Sequence, residues 1–262
     1  MDYGLQDKLA IVTGSTSGIG RAIARTLLDE GARVIVNGRS QKTVDAALAQ
    51  LDAGERAIGV AADVGTADGC DTLISAANAA GSVDILINNA GIFEAKPFDE
   101  ITDEDWLRFY EINVMSGVRL SRAICKSMTE RGWGRIVFIS SESAINVPVE
   151  MIQYGMTKSA QLSISRGLAK LLKTTGVTVN SVLPGPTWSE GVEAMLEKMP
   201  GSHSMEDKKN EFFTEDHPSS LIQRFITTDE IASMVAYVCS TQAAATTGAA
   251  LRCDGGMVNT CY

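Results

Sequence analysis

The sequence has few of the residues from which metal and disulfide sites are built. It contains only two histidines, His203 and His217, and both lie in one irregular polar stretch. This disfavours a catalytic or metal site that depends on histidine. The cysteines are widely separated and form no C-x-x-C pair; they are Cys70, Cys125, Cys239, Cys253 and Cys261. An odd set without ligand spacing predicts reduced thiols, so we expect a cytoplasmic protein without a metal.

Long apolar runs and clusters of basic residues are also missing. No run approaches the roughly 20 residues that a membrane-spanning helix needs. Residues 1–8 carry two aspartates and do not resemble a secretory signal. Acidic residues outnumber basic ones by 32 to 23, and no basic stripe is present to neutralise phosphates. We therefore expect no membrane and no nucleic acid as partner, but a small molecule.

Apolar runs typical of strands alternate with segments of helical periodicity along the chain. The predicted strands are 9–13, 33–37, 57–61, 83–87, 135–139, 177–183 and 249–253. The predicted helices are 20–29, 43–51, 70–80, 105–116, 118–130, 154–172 and 229–239. Seven strands with helical crossovers predict an α/β protein with one doubly wound, parallel, seven-stranded sheet of Rossmann type and helices on both faces. We expect a single domain over residues 1–262.

The 188–225 segment interrupts this alternation. It combines methionines and phenylalanines with many charges, and Pro200 and Pro218 punctuate it. A connection this long inside a compact domain is usually functional or disordered. We expect a short helical lid over a substrate pocket, and a solvated surface insertion stays the alternative.

A glycine-rich turn separates the first strand from the first helix. Glycines at Gly14, Gly18 and Gly20 allow a tight turn and a close approach of the backbone to a pyrophosphate. The free N–H groups at the start of the helix then face the negative charge. Plain turn chemistry remains an alternative for this feature by itself.

Tyr154 and Lys158 stand four residues apart at the start of a long predicted helix, so both side chains can reach one site. A phenol has an ordinary pKa of about 10, too high for efficient proton exchange at neutral pH. A lysine charge about 5 Å away, at an effective dielectric of about 20, contributes roughly 3 kcal/mol. We therefore expect Lys158 to lower the pKa of Tyr154. Ser141 ends a strand 13 residues earlier, where side chains of this architecture face the ligand crevice.

Several motifs, in order, resemble those of the short-chain dehydrogenase/reductase family, including members similar to β-ketoacyl carrier-protein reductases. Thr-Gly-x-x-x-Gly-Ile-Gly at 13–20 resembles the family's cofactor motif, Asn-Asn-Ala-Gly at 88–91 its adenosine-side motif, and Asp63 its adenine-binding aspartate. The resemblance runs from about Leu9 to Gly256. It implies a nicotinamide cofactor held by Gly14, Ser17, Gly18, Ile19, Gly20, Asp63, Val64, Asn89, Ala90, Gly91, Tyr154, Lys158, Pro184, Gly185, Thr187 and Ser189.

The resemblance also implies catalytic roles. Ser141 hydrogen-bonds the substrate oxygen, and Tyr154 exchanges a proton with it. Lys158 lowers the pKa of the tyrosine and holds the nicotinamide ribose. Asn113 resembles the family's asparagine that loosens a helix and supports the proton path. The nicotinamide-contacting turn follows the sixth strand, and Ser189 stands there where the family commonly has threonine.

The end of the second strand indicates which nicotinamide cofactor is used. An acidic side chain there normally holds the ribose 2′-hydroxyl of NAD, but this chain has Gly38 followed by Arg39. Arginine offers donors suited to a 2′-phosphate, with Asn37 and Ser40 as neutral partners. We therefore expect NADP rather than NAD, although a solvated loop arginine would leave NAD as the alternative.

Three alternatives and one assembly question remain open. A β-ketoacyl carrier-protein reductase usually has a basic residue just before its Gly-x-Thr-Val-Asn segment, where this chain has Thr174 and Thr175. A non-catalytic sensor of nicotinamide redox state would have little need for the catalytic set, and a structural subunit gains support only from oligomerisation. Small residues along helix 154–172 indicate a homo-oligomer, a dimer or homotetramer, or alternatively packing within one chain.

Overall fold

A computed structural model of the protein describes residues 2–198 and 204–261. Its strands form one parallel sheet in the order β3-β2-β1-β4-β5-β6-β7, which confirms the predicted fold class. The strands are β1 Leu9–Val12, β2 Arg33–Gly38, β3 Ala57–Ala61, β4 Ile85–Asn88, β5 Gly134–Ile139, β6 Val177–Pro184 and β7 Ala250–Cys253. The order reverses between β1 and β4, so a crevice forms at the carboxyl ends of these two strands.

The helices lie on both faces of the sheet. They are α1 Gly18–Asp29, α2 Gln41–Leu51, α3 Ala67–Ala80, α4 Asp103–Tyr110, α5 Ser116–Arg131, α6 Ile152–Leu171, α7 Glu190–Lys198, α8 Met205–Glu211 and α9 Thr228–Cys239. Every residue of β1, β4, β5 and β6 is buried. One core cluster contains α1 and α9 side chains, and the other contains α3 and α5 side chains. The sheet is therefore a rigid base for the groups at its edge.

The connection between α4 and α5 differs from the sequence-based expectation. We predicted two helices broken at Gly117, but the chain stays helical and passes through a π-helical turn, Glu111–Met115. Gly117 is a packing glycine, because a Cβ atom there would lie 2.7 Å from Cε1 of Phe138. The break was wrong since the glycine permits close approach of α5 to β5 without ending the helix.

The 188–225 segment contains α7, α8 and a second π-helical turn, Phe212–Asp216. Its aromatic side chains pack together: the Phe225 ring lies 5.3 Å from Trp188, 4.9 Å from Phe212 and 4.9 Å from Phe213, measured between centroids. His203 and Pro200 lie outside the described residues. Among the helices that the structure describes, none is both long and apolar enough to cross a bilayer.

Candidate active site

The glycine-rich turn and the loop after β4 are joined by hydrogen bonds at the reversal point of the sheet. Thr13 Oγ1 accepts from the main-chain N–H groups of Asn89 and Ala90, both at 2.9 Å. The Asn89 amide donates back to the Thr13 carbonyl at 2.8 Å. The predicted phosphate and adenosine motifs therefore form one connected structure at the crevice.

The three motif glycines are needed for different reasons. Gly14 and Gly18 have positive φ angles of 61° and 53°, a conformation that favours glycine. Gly20 lies so close to the turn that a Cβ atom would sit 2.4 Å from the Gly14 carbonyl oxygen. A side chain at Gly14 or Gly18 would strain the backbone, and one at Gly20 would open the turn.

A carboxylate occupies the amino end of α1. Glu190 Oε2 accepts from the Gly18 N–H at 3.0 Å, and Oε1 accepts from Arg21. Burial raises the pKa of Glu190, but its own N–H, the Arg21 charge and hydrogen bond, and the Gly18 N–H more than offset this, so the pKa lies below its ordinary value. The turn therefore binds an anion, as a helix amino end does. No local sequence pattern indicated this contact, because the two residues are 172 positions apart.

At the end of β2, the residues expected to bind a 2′-phosphate lie in different environments. Arg39 and Ser40 are exposed, and Arg39 forms no ion pair with any residue that the structure describes. Asn37 is buried; its Oδ1 accepts from Gly14 N–H at 3.3 Å, and its Nδ2 donates to the carbonyls of Val60 and Ala62. Asn37 as a neutral partner of a 2′-phosphate was therefore wrong, because its side chain already ties β2 to its neighbours.

The predicted adenine-side residues lie after β3. Asp63 is exposed and its Oδ1 accepts from the Gly65 N–H at 3.0 Å, while Val64 is buried. The carboxylate thus stabilises the turn and keeps its other oxygen for further contacts.

Ser141, Tyr154 and Lys158 meet at the carboxyl end of β5. Tyr154 and Lys158 lie in the first turns of α6, and the Lys158 Nζ is 5.4 Å from the centroid of the Tyr154 ring. Ser141 lies close enough to the Tyr154 hydroxyl to lower the pKa of that group, and its Oγ accepts from the Ser143 N–H at 3.1 Å. Ser140 instead binds the Lys158 carbonyl at 2.9 Å, so Ser141 is the serine of this pair that reaches the phenol.

The pKa values in this cluster differ from expectation. Burial raises the pKa of Tyr154 to about 12, against a lowering by the Ser141 hydrogen bond and with a small increase from Glu142. Burial also lowers the pKa of Lys158 to about 8, and its ammonium donates to the Ile139 carbonyl at 2.8 Å. The expected lowering of the tyrosine pKa by Lys158 is wrong for this structure, because desolvation of the phenol is the larger effect.

Asn113 lies in the π-helical turn between α4 and α5 and is 1% exposed. Its Oδ1 accepts from the Ile92 N–H at 2.8 Å, and its Nδ2 donates to the Ile92 carbonyl and to Thr157 Oγ1, both at 3.0 Å. A Cβ atom on Gly91 would lie 3.3 Å from the Asn113 Oδ1 and 3.6 Å from the Lys158 Nζ. A side chain at Gly91 would therefore touch both of these groups.

The loop after β6 brings the last predicted residues to the same edge. Pro184 is buried, and Gly185 packs so tightly on Asp254 that a Cβ atom would lie 2.6 Å from its carbonyl oxygen. Thr187 Oγ1 donates to the Gly185 carbonyl at 2.8 Å. Ser189 Oγ accepts from the Val192 N–H at 3.4 Å and stabilises the first turn of α7.

Sequence reasoning missed Glu142, the residue next to Ser141. Its side chain is buried, Oε1 accepts from Ser143 Oγ at 2.7 Å, and Oε2 has no partner among the described residues. Burial raises the pKa of Glu142 to about 7, against a lowering by Ser143 and with a further increase from Asp254. Its place after a strand-end serine pair was the only signal in the sequence.

The described ranges contain no group of three or more His, Cys, Asp or Glu side chains placed to hold a metal ion. Hydrogen bonding and proton transfer are the chemistry that Ser141, Tyr154 and Lys158 offer at this edge. These groups stand next to a turn that accepts anions. Such an arrangement can bind a carbonyl oxygen and exchange a proton with it.

Comparison with known proteins gives consistent matches. The pattern of the short chain dehydrogenase family matches residues 8–200. "Uncharacterized oxidoreductase YvrD" of Bacillus subtilis is 45% identical over 260 residues, which cover 98% of this chain and 99% of the relative. L-Sorbose reductase from Gluconobacter frateurii, solved with NADPH and L-sorbose, has a TM-score of 0.93 at 32% identity, covering 99% and 100% of the two chains. Actinorhodin polyketide ketoreductase, solved with NADPH, has a TM-score of 0.90 at 34% identity, covering 97% and 98%.

Proposed function

The chain belongs to the short-chain dehydrogenase/reductase family of oxidoreductases, and on that basis we propose that it is an NADPH-dependent reductase of a small carbonyl compound. The observation that carries the proposal is the meeting of Ser141, Tyr154 and Lys158 beside the glycine-rich turn. The reverse reaction would oxidise the corresponding alcohol through the same groups.

The residues present fit a dinucleotide cofactor. The turn leaves no room for a Cβ atom at Gly20, and the Gly18 N–H already binds a carboxylate oxygen. Both features suit a pyrophosphate at the amino end of α1. We propose that the cofactor is held by Gly14, Ser17, Gly18, Ile19, Gly20, Arg39, Asp63, Val64, Asn89, Ala90, Gly91, Tyr154, Lys158, Pro184, Gly185, Thr187 and Ser189.

In the proposed reaction the Ser141 hydroxyl donates a hydrogen bond to the substrate carbonyl oxygen. The Tyr154 hydroxyl gives its proton to that oxygen as the carbonyl becomes an alcohol. The nicotinamide, when bound, supplies the hydride to the carbonyl carbon. The ammonium of Lys158, 5.4 Å from the centroid of the Tyr154 ring, is proposed to offset part of the desolvation cost of the tyrosinate that remains. One proton from solvent then restores the phenol along a path that Asn113 supports.

NADP is the proposed cofactor because Arg39 is exposed at the end of β2 and has no carboxylate beside it in the turn. Two solved relatives carry NADPH, which supports this choice. A charge-assisted contact to a 2′-phosphate contributes about 1.5–3 kcal/mol. Gly38 leaves a 2′-hydroxyl without the acidic partner that NAD enzymes provide.

We also propose that the 188–225 segment is a lid and that the chain forms a homo-oligomer in the cytoplasm. The Phe225 ring packs on aromatic rings from both ends of the segment, and Glu190 connects its first helix to the glycine-rich turn. On α6, the apolar side chain of Leu171 is exposed, which supports packing with another copy. Gly155 does not, since Val147 fills the space beside it.

The test is a spectrophotometric screen of carbonyl compounds with NADPH and NADH, followed at the nicotinamide absorbance. The panel includes L-sorbose, small aliphatic ketones and a β-ketoacyl thioester, with Tyr154→Phe as the control protein. We expect turnover of at least one panel member by the wild type and none by the variant. Cofactor binding without turnover of any member would instead support a nicotinamide sensor.

A further inference from the structure

Gln161 belongs to none of the family motifs, yet it contacts Asn113, a residue of the proposed proton path. It lies three residues beyond Lys158 on α6, and its side chain is 2% exposed. Its Nε2 donates a hydrogen bond of 2.6 Å to the main-chain carbonyl of Asn113. That carbonyl belongs to the π-helical turn, where i→i+5 bonding replaces the usual helical pattern. Gln161 therefore fixes the backbone of α4–α5 to the catalytic helix at Asn113.

The side-chain amide of Asn113 already has other partners, so Gln161 binds the main-chain carbonyl instead. Its Oδ1 is used by the Ile92 N–H, and its Nδ2 is used by the Ile92 carbonyl and Thr157. With the side-chain amide committed to these partners, the main-chain carbonyl is the Asn113 group that reaches α6 at Gln161.

The orientation of the Gln161 amide follows from simple chemistry. A carbonyl oxygen can only accept, so Nε2 must face Asn113 and Oε1 must point the other way. Oε1 is buried and has no partner in the part of the chain that the structure describes. Burying an acceptor without a partner destabilises a protein. Gln161 and Lys158 share a helix face at i, i+3 spacing, and the Ile139 carbonyl takes one of the three ammonium donors of Lys158.

We propose that Gln161 is a positioning residue of the proton path: Nε2 holds the Asn113 carbonyl, and Oε1 is the acceptor for proton donors on the Lys158 side. The inference rests on the proposed function, in which Tyr154 gives a proton to the substrate and regains one from solvent. Gln161 itself neither gains nor loses a proton. It keeps acceptors in place while one proton moves inward for each carbonyl reduced.

The test compares Gln161→Leu with Gln153→Leu. Gln153 is a matched control: it lies on the same helix, is 1% exposed, donates to a main-chain carbonyl (Glu94, 3.0 Å) and also has a buried Oε1 without a partner among the described residues. With NADPH and the fastest carbonyl substrate of the screen, we expect Gln161→Leu to lower kcat about tenfold or more. KM should change little, and the limb of the pH–rate profile that reports the Tyr154–Lys158 pair should move. Gln153→Leu should leave that limb in place.

A second measurement does not depend on turnover. The Lys158 Cε signal, assigned through Lys158→Met, is titrated by NMR in lysine-labelled full-length protein without cofactor. Burial lowers the pKa of Lys158 to about 8 in the wild type, and Gln161→Leu should lower this pKa by about half a unit or more if Oε1 is the acceptor that we propose on the Lys158 side. Gln161→Met, unbranched and of similar length, replaces Gln161→Leu if the latter does not fold.

Identical titrations and identical pH–rate limbs in the two glutamine variants would overturn the proposal. Its failure is distinct from failure of the proposed function. If Tyr154→Phe is inactive while Gln161→Leu behaves like Gln153→Leu, only the role of Gln161 is lost. If Tyr154→Phe turns over substrate like the wild type, the proposed function is lost and the Lys158 titration still reports on Gln161.

Discussion

The Oε2 atom of Glu190 lies 3.0 Å from the main-chain nitrogen of Gly18, so the first residue of α7 places a carboxylate on the amino end of α1. The same N–H is a donor that the pyrophosphate of a dinucleotide would use. Arg21 holds the other oxygen of the carboxylate. We therefore expect the position of Glu190 to be coupled to cofactor binding.

The first prediction follows from this competition. Glu190→Gln should lower the Kd for NADPH by about three- to tenfold, because a charged competitor at the Gly18 N–H is weakened. Fluorescence titration with NADPH measures the effect. Glu193→Gln, which removes an equal charge from an exposed position one turn later in α7, should change the Kd less. Equal Kd values for the two variants would show that only the general charge matters.

The second prediction concerns the buried carboxyl beside Ser141. The pKa of Glu142 is raised from its ordinary value to about 7, so the folded state favours the protonated acid. Its stabilising contribution is complete below about pH 4.5 and is lost as the pH rises through 7. Glu142→Gln should therefore be more stable than the wild type at pH 8, by up to about 3 kcal/mol, and close to it at pH 4.5.

Thermal unfolding at both pH values measures this difference. Glu150→Gln is the control, because Glu150 is exposed. A stability gain for Glu142→Gln that is the same at pH 4.5 and pH 8 would contradict the raised pKa and indicate a packing effect instead.

The sequence was sufficient to predict the groups that lie at strand ends. Parallel strands bring their carboxyl ends to one edge of the sheet, so the order of strands and helices alone places Ser141 near the glycine-rich turn. Helical spacing likewise brings Tyr154 and Lys158 to one face. These relationships depend on local periodicity and on fold topology, which a single sequence records.

The parts that were missed depend on contacts between distant residues or on burial. Gly117 has the local signature of a helix break, and only the Phe138 ring opposite it shows why glycine is needed. The sign of the Tyr154 pKa shift depends on desolvation, which spacing does not reveal. The partners of Asn37 lie on a neighbouring strand and in the turn after β1.

The third prediction tests the packing role of Gly117. Gly117→Ala should cost about 1–3 kcal/mol, because the added methyl would meet the Phe138 ring at 2.7 Å. Gly167→Ala, also inside a helix but with nothing within 4 Å, should be neutral or stabilise the protein by about 0.4–1 kcal/mol. Chemical denaturation measures both. A helix break at residue 117 would make the first substitution harmless.

The fourth prediction tests the proton donor. Tyr154→Phe removes only the hydroxyl that Ser141 contacts, so kcat should fall by about a hundredfold or more while the Kd for NADPH changes little. Stopped-flow turnover and cofactor titration report the two quantities. Ser140→Ala is a matched change on the adjacent serine, whose hydroxyl binds the Lys158 carbonyl, and it should retain more activity than Ser141→Ala. The reverse order would move the substrate contact to Ser140.

The last prediction is cofactor choice. Arg39→Ala should lower kcat/KM for NADPH about ten- to a hundredfold, because a charge-assisted contact to the 2′-phosphate is lost, and leave NADH nearly unchanged. Lys42→Ala removes a nearby exposed charge and controls for general electrostatics.

An acidic residue at Gly38 should favour NADH, but its Cβ atom would lie 2.4 Å from Thr16 Cγ2. Thr16→Ser removes that methyl, so Gly38→Asp with Arg39→Ala should reverse the preference only in the Thr16→Ser background. Wild-type protein that uses NADH as efficiently as NADPH would refute the NADP assignment and leave the roles of Tyr154 and Ser141 intact.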